Sequence, residues 1–279
     1  MISRLNNSQY IIIFLNAAFK AGRKILKIYN KSDFKVKLKS DDSPLTRADI
    51  ESHKLIKKTL IEALPGLPLM SEEETNISYT ERKKWEEYIC IDPLDGTKEF
   101  INRNGEFTIN IALIRDCKPV VGVIFSPVKD ILYFGGFNTG SFRISRFLKI
   151  FSNFNSLSLQ YEHIVKLPCA DSNRNFTVVG SRSHMNDKTQ NFINELKAKY
   201  DKIDIISAGS SLKFCLVAEG SADVYPRFAP TMEWDTAAGQ VILEGAGGVV
   251  CDSTKELPLK YNKPNLTNPS FIAKGCSYT

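Results

Sequence analysis

Ile91-Asp92-Pro93-Leu94-Asp95-Gly96-Thr97 is the stretch on which the reading of this chain turns. Tyr88, Ile89, Cys90 and Ile91 lead into it as an apolar, partly β-branched run, the pattern of a buried strand. Asp92 then falls at the strand's carboxyl end, where open α/β sheets bind ligands. Pro93 fixes its own φ and biases Asp92 toward extended backbone, so no helix continues through it. Asp92 and Asp95 are thereby held on a short, stiff bend. The Leu94 carbonyl has no evident ladder partner and is free to face a cation. Gly96 permits a positive φ or a close backbone approach. Thr97 opens a helical turn whose free N–H groups suit a phosphate. Carboxylates, carbonyls and a substrate phosphate are the oxygen ligands that Mg²⁺ takes.

Two further acidic segments lie outward from this one. Glu72-Glu73-Glu74 stands upstream, and Trp234-Asp235-Thr236-Ala237-Ala238-Gly239 stands far downstream. Taken singly, each has an ordinary structural reading. The heptapeptide is a turn, the glutamates a solvated patch, and Asp235 the cap of the helix that follows. Taken jointly they read as a hard-cation site beside a phosphate cradle. That combination predicts metal-assisted hydrolysis of a phosphate ester.

With 279 residues, 43% hydrophobic and 24% charged, the chain has room for one large domain or two layered halves. The net charge of +6 is mild and its lysines are scattered. It favours anionic small molecules, and no basic stripe interleaved with aromatics points to nucleic acid. Cysteines 90, 117, 169, 215, 251 and 276 are widely spaced without a C-x-x-C pair. They read as reduced thiols of a cytoplasmic protein. The apolar run from Tyr10 to Phe19 is too short to span a bilayer. It continues as Gly22, Ile25 and Tyr29 at helical spacing, one amphipathic helix of about 20 residues.

A second amphipathic helix is expected from about Ala48 to Leu64, stopping at Pro65-Gly66. Strands are expected at 109–114, 120–125 and 131–134. Strand and helix alternate again from Phe176 to Cys251. The expected organisation has three parts. Residues 1–140 form an α+β half carrying most metal ligands, 141–175 an irregular connection, and 176–279 an α/β half. The last contributes substrate contacts and the final metal ligand. The fold class is α/β, an α+β layered αβαβα sandwich, with the site between the halves.

With Asp-Pro-Leu-Asp-Gly-Thr, the Glu-Glu pair and Trp-Asp-x-Ala-Ala-Gly in hand, the chain resembles the Mg²⁺-dependent, lithium-sensitive inositol monophosphatase superfamily. The match is closer to its bacterial 3′(2′),5′-bisphosphate nucleotidase branch. Ser43-Pro44-Leu45-Thr46-x-Ala48-Asp49, Thr97-Lys98-Glu99-Phe100, Ser181-Arg182-Ser183-His184 and the stretch from Gly209 to Arg227 carry that likeness. It covers nearly the whole chain apart from about 140–175. The resemblance implies the sugar-phosphatase, inositol monophosphatase-like fold and two or three Mg²⁺ ions. It implies Glu73, Asp92, Asp95, Asp235 and the Leu94 carbonyl as metal ligands. Asp49 and the Thr97 hydroxyl would orient the attacking water, and the backbone of Gly96 and Thr97 would hold the scissile phosphate. His184, Ser210, Lys213 and Arg227 would face a second phosphate or the ribose.

The implied reaction is hydrolysis of adenosine 3′,5′-bisphosphate to AMP and phosphate, with phosphoadenylyl sulfate as a second substrate. An inositol or sugar monophosphatase using the same metal site is the alternative, and a non-catalytic nucleotide-binding protein the remote one. The family leaves open attachment to the inner membrane face and a monomeric or homodimeric state.

Overall fold

The structure is a computed structural model. It describes residues 5–31, 37–38, 44–152, 163–170, 173–181 and 186–278.

Helix α1 (Asn7–Tyr29) is the expected amphipathic helix, begun by Asn6. The Asn6 side chain accepts from the Gln9 N–H at 3.0 Å, and the Gln9 amide oxygen accepts from the Asn6 N–H at 2.9 Å. Two donors that the first turn would leave open are thus satisfied reciprocally. A two-stranded pair, β1 (Lys37–Leu38) with β2 (Pro44–Leu45), leads into α2 (Arg47–Ala63). Both helices lie on one face of a seven-stranded sheet. Its strands run side by side in chain order: β3 (Leu69–Ser71), β4 (Glu87–Asp95), β5 (Thr108–Arg115), β6 (Lys118–Ser126), β7 (Ile131–Gly136), β8 (Gly140–Ser145) and β9 (Ile164–Lys166). The short helices α3 (Tyr79–Arg82), α4 (Thr97–Ile101) and α5 (Phe147–Ser152) interrupt the run. β3 and β4 are parallel, and every later pair in the sheet is antiparallel. Phe14, Ala18, Ile25, Ile56, Ile111, Val123 and Phe125 fill the space beneath α1 and α2.

The second sheet has the order β11 (Ile203–Ala208), β10 (Phe176–Ser181), β12 (Val224–Arg227), β14 (Phe271–Lys274), β13 (Val249–Asp252). Helices α7 (Leu212–Glu219) and α8 (Glu233–Gly245) lie between the two sheets, and α6 (Asp187–Lys197) covers the outer face of the second. The layers are therefore αβαβα, as expected. α8 is covered on both sides, so Trp234, Ala237, Ala238, Val241, Ile242 and Leu243 are buried together with Glu233, Thr236 and Gln240. Gly239 is a packing requirement, since a Cβ there would lie 2.4 Å from the Phe214 ring on α7. The Ala-Ala-Gly part of that motif therefore serves the layer contact, and Asp235 serves the site.

Two differences from the sequence reading stand out. Within 141–175, expected as an irregular connection, the described residues include most of β8 and all of β9 at the far side of the first sheet, and helix α5. Strand β14 was not expected. It sits between β12 and β13, antiparallel to both. No helix among the described residues is long and apolar enough to cross a membrane.

Candidate active site

The site begins where β4 loses register. Asp92 pairs with Asn110 and Asp95 with Thr108, so two residues, Pro93 and Leu94, oppose only Ile109. This bulge turns the strand end outward. The Leu94 N–H donates to Asp92 Oδ1 at 3.0 Å, and Ser52 Oγ on α2 donates to the Pro93 carbonyl at 2.7 Å. Gly96 then takes φ +92°, the left-handed alternative of the two open to it, and α4 starts at Thr97.

One carboxylate oxygen from each of Asp92, Asp95 and Asp235 lies within 4.8 Å of the others. Each acid has an anchor that uses its other capacity. Asp95 Oδ2 accepts from the Ser211 N–H at 2.7 Å, Ser211 Oγ at 2.7 Å and Asn110 Nδ2 at 3.3 Å, which leaves Oδ1 for a cation. Asp235 Oδ2 accepts from the Met232 N–H at 2.7 Å in the first turn of α8. Asp235 therefore caps its helix and joins the cluster at once.

The glutamate of the acidic triplet is displaced by one position from the expectation. Glu72, not Glu73, borders the cleft and shares a hydrogen bond with Asp92. Its N–H donates to the Ile91 carbonyl at 3.2 Å, which pins it beside the end of β4. The charge of Glu73 reaches Asp49 and helps to raise its carboxyl.

Burial pushes Asp92 well above the ordinary carboxylate range, and the charges of Glu72, Asp95 and Asp235 push it further. Burial, then Asp95 and Glu72, raise Asp235 to about 8. Four converging carboxylates cannot all ionise together in a desolvated site without positive charge. All-oxygen donors of this kind fit hard divalent cations. The residues present therefore fit a Mg²⁺-type centre.

Beside the cluster, Thr97 Oγ1 donates to Asp49 Oδ1 at 3.0 Å and lies 3.5 Å from the Leu94 carbonyl. Asp49 Oδ2 accepts from the Thr46 N–H at 2.8 Å and also from the Thr46 hydroxyl. Asp49 is buried, and that burial raises its pKa against the lowering effect of the Thr46 bonds.

A cleft runs from these residues to the second sheet, bordered by Ser181, Ser210, Lys213, Tyr225 and Arg227. Lys213 is buried, donates to the carbonyls of Ala208 and Ser210, and lies 5.4 Å from the Tyr225 ring centre. Burial lowers its pKa to about 8. Arg227 donates one N–H to the Pro230 carbonyl at 3.1 Å, and its buried Nε has no acceptor among the described residues. Expected residues Asp95, Gly96, Thr97, Ser210, Lys213, Arg227 and Asp235 thus come together along one cleft. His184 lies outside the described residues.

Sequence reasoning missed the supports. Asn110 Nδ2 donates to Ser211 Oγ at 2.8 Å, and Thr108 Oγ1 lies 2.9 Å from Asn110 Oδ1 and 3.2 Å from Ser210 Oγ. This buried polar chain ties the loop before α7 to the first sheet. A polar Asn inside the apolar run from Ile109 to Ile114 was the available signal.

Comparison with known proteins gives a consistent picture. The sequence profile described as the inositol monophosphatase family matches residues 6–276. The chain is 39% identical over 255 residues to the 3′(2′),5′-bisphosphate nucleotidase CysQ of Salmonella typhimurium, covering 91% of this chain and 95% of that protein. It is 40% identical to the Buchnera aphidicola protein of the same description, covering 84% and 80%. Among solved structures, it is similar to CysQ from Bacteroides thetaiotaomicron, a bacterial member of the inositol monophosphatase family. The TM-score is 0.86 at 48% identity, covering 95% and 96% of the two chains.

Proposed function

This chain belongs to the inositol monophosphatase family, and on that premise we propose that it is a 3′(2′),5′-bisphosphate nucleotidase. It removes the 3′-phosphate of adenosine 3′,5′-bisphosphate and releases AMP and inorganic phosphate. The observation that carries this reading is the layout of the cleft. The carboxylate cluster and two cationic side chains, Lys213 and Arg227, line the same cleft. Those cations suit a second phosphate on the substrate, beyond the one held at the cluster.

Asp92, Asp95, Asp235, Glu72 and the Leu94 carbonyl would hold two or three Mg²⁺ ions. Bound there, the ions would neutralise the developing phosphate charge and make water more acidic. Thr97 Oγ1, its hydrogen directed to Asp49, presents a lone pair to the attacking water and aims it. A proton taken up at Thr97 is matched by one passed to Asp49 Oδ1, and the pKa of Asp49, raised by burial, favours that acceptance. The N–H groups of Gly96 and Thr97 face the phosphate to be cleaved, while Ser210, Lys213 and Arg227 receive the 5′-phosphate. The attack is direct and in line. Cys90 and Cys215 are buried with pKa values held up by that burial, so neither is a competent nucleophile. We further propose a cytoplasmic location, because Cys90, Cys117, Cys169, Cys215 and Cys251 are free thiols.

Phosphate release should be measured with Mg²⁺ from adenosine 3′,5′-bisphosphate, inositol 1-phosphate and fructose 1,6-bisphosphate side by side. Strong preference for the nucleotide is expected. Preference for inositol 1-phosphate would keep the metal site and overturn the second anion pocket.

A further inference from the structure

The three aspartates of the cluster are anchored by the bulge, by Ser211 and by the α8 cap. Glu72 stands differently. It sits on a tight turn in which the Glu74 N–H donates to the Ser71 carbonyl at 3.0 Å. The Glu72 N–H bond to the Ile91 carbonyl fixes the backbone of this turn, and α2 braces its base through side chains. His53 Nδ1 lies 2.9 Å from Ser71 Oγ, and the same oxygen accepts from the Glu73 N–H at 3.4 Å. Ser71 is 2% exposed, so this pairing is shielded from water. His53 Nε2 lies 3.6 Å from the Glu74 carboxylate, and Lys57, one turn on, also binds Glu74. With its proton on Nε2 facing Glu74, the ring accepts the Ser71 hydroxyl hydrogen at Nδ1.

The same helix face reaches three parts of the site. Asp49 meets Thr97, Ser52 meets the Pro93 carbonyl, and His53 meets Ser71. Positions 49, 52 and 53 are neighbours on a helix surface. α2 therefore aligns two segments from different places in the chain, the end of β4 with the start of α4 and the turn after β3. The Lys57–Glu74 pair is half-exposed and fixes little by itself.

We infer that His53 is a positioning residue which, through Ser71, sets the turn that carries Glu72 to the metal cluster. The inference rests on the metal-site reading above. Replacing His53 should loosen Glu72 and weaken cation binding while leaving Asp49 and Thr97 in place.

Calorimetric titration with Mg²⁺, alongside melting in chelator, tests this on wild type, His53→Ala, His53→Asn and Ser71→Ala. Partners that orient metal ligands typically govern about 10–100-fold in affinity, so His53→Ala is expected to weaken Mg²⁺ binding about ten-fold. The Mg²⁺ concentration for half-maximal activity should move by the same factor, while kcat at saturating Mg²⁺ stays within about two-fold. His53→Asn, which keeps an acceptor near the Nδ1 position, should recover most of the affinity. Ser71→Ala should weaken binding as His53→Ala does, and it carries the test if the latter fails to fold. Unchanged Mg²⁺ affinity in both variants, with only a lower melting temperature, would overturn the assignment and leave the metal site standing. A wild-type protein that binds no Mg²⁺ would overturn both.

Discussion

Removing divalent cations should make this protein less stable as pH rises, and the slope follows from the cluster. Asp235 has an ordinary value of 3.8 and a folded value of about 8, and Asp92 is raised well above 3.8. Between those limits the metal-free folded state binds protons that the unfolded chain has released. Stability therefore falls with rising pH, by up to about 1.4 kcal/mol per unit for each such group. For 279 residues, a melting entropy of about 2.1 cal/mol/K per residue sums to about 0.6 kcal/mol/K. The melting temperature should then fall by up to about 2 °C per pH unit per carboxylate. Asp235 borders the open cleft and contributes less than that full slope.

His53 works in the opposite sense. Its burial lowers its pKa, so stability gained from keeping it neutral rises with pH until the unfolded value near 6.5 is passed. Melting from pH 6.5 to 8 avoids that contribution. Over this window the chelated protein should lose about 3–6 °C if both carboxylates act. At pH 8, Mg²⁺ at about 100 times its dissociation constant should restore about 2.7 kcal/mol, or about 4–5 °C. It should restore less at pH 6.5, where protons compete for the ligands. Asp235→Asn should flatten the chelated slope. Differential scanning fluorimetry suffices. A chelated melting temperature that is flat or rises across the window would refute the reasoning.

Three further outcomes are expected. Thr97→Val, which removes the hydroxyl between Asp49 and the water, should lower kcat by about 10²-fold or more while Thr97→Ser largely keeps it, as read from initial rates. Lys213, with its pKa lowered to about 8, loses its charge above that pH; KM for the bisphosphate should rise there, and Lys213→Met should raise KM throughout and remove the pH dependence. Gly209→Ala would put a methyl 2.6 Å from the Glu106 carbonyl and 2.8 Å from Glu99 Cγ. Overpacking of this kind costs about 1–3 kcal/mol, so denaturant melts should show that loss together with a higher KM.

The parts of the molecule legible in the sequence are those whose chemistry is local. The bulge at Pro93-Leu94, the left-handed Gly96 and the helical turn at Thr97 each follow from residues within a few positions. Long periodic elements such as α1 and α2 were equally plain. The sequence does not separate Glu72 from Glu73, because a turn has no period to say which neighbour faces inward. Strand β14 has only four residues and finds its partners β12 and β13 across long separations, so nothing near Phe271 announces it. Strands β8 and β9, the last two of the first sheet, are hard to read from the sequence for a related reason. β9 has three residues, two of them exposed, which leaves little alternation to read. The network from Ser210 through Thr108 and Asn110 to Ser211 joins segments about a hundred positions apart, and only the folded layers bring them together.

The most direct measurement is ³¹P NMR of adenosine 3′,5′-bisphosphate during turnover with Mg²⁺. The 3′-phosphate resonance should disappear as inorganic phosphate grows, the 5′-phosphate should persist in AMP, and chelator should stop the change. Loss of the 5′-phosphate first, or phosphate release that continues undiminished in chelator, would contradict the orientation of substrate between the carboxylate cluster and Lys213.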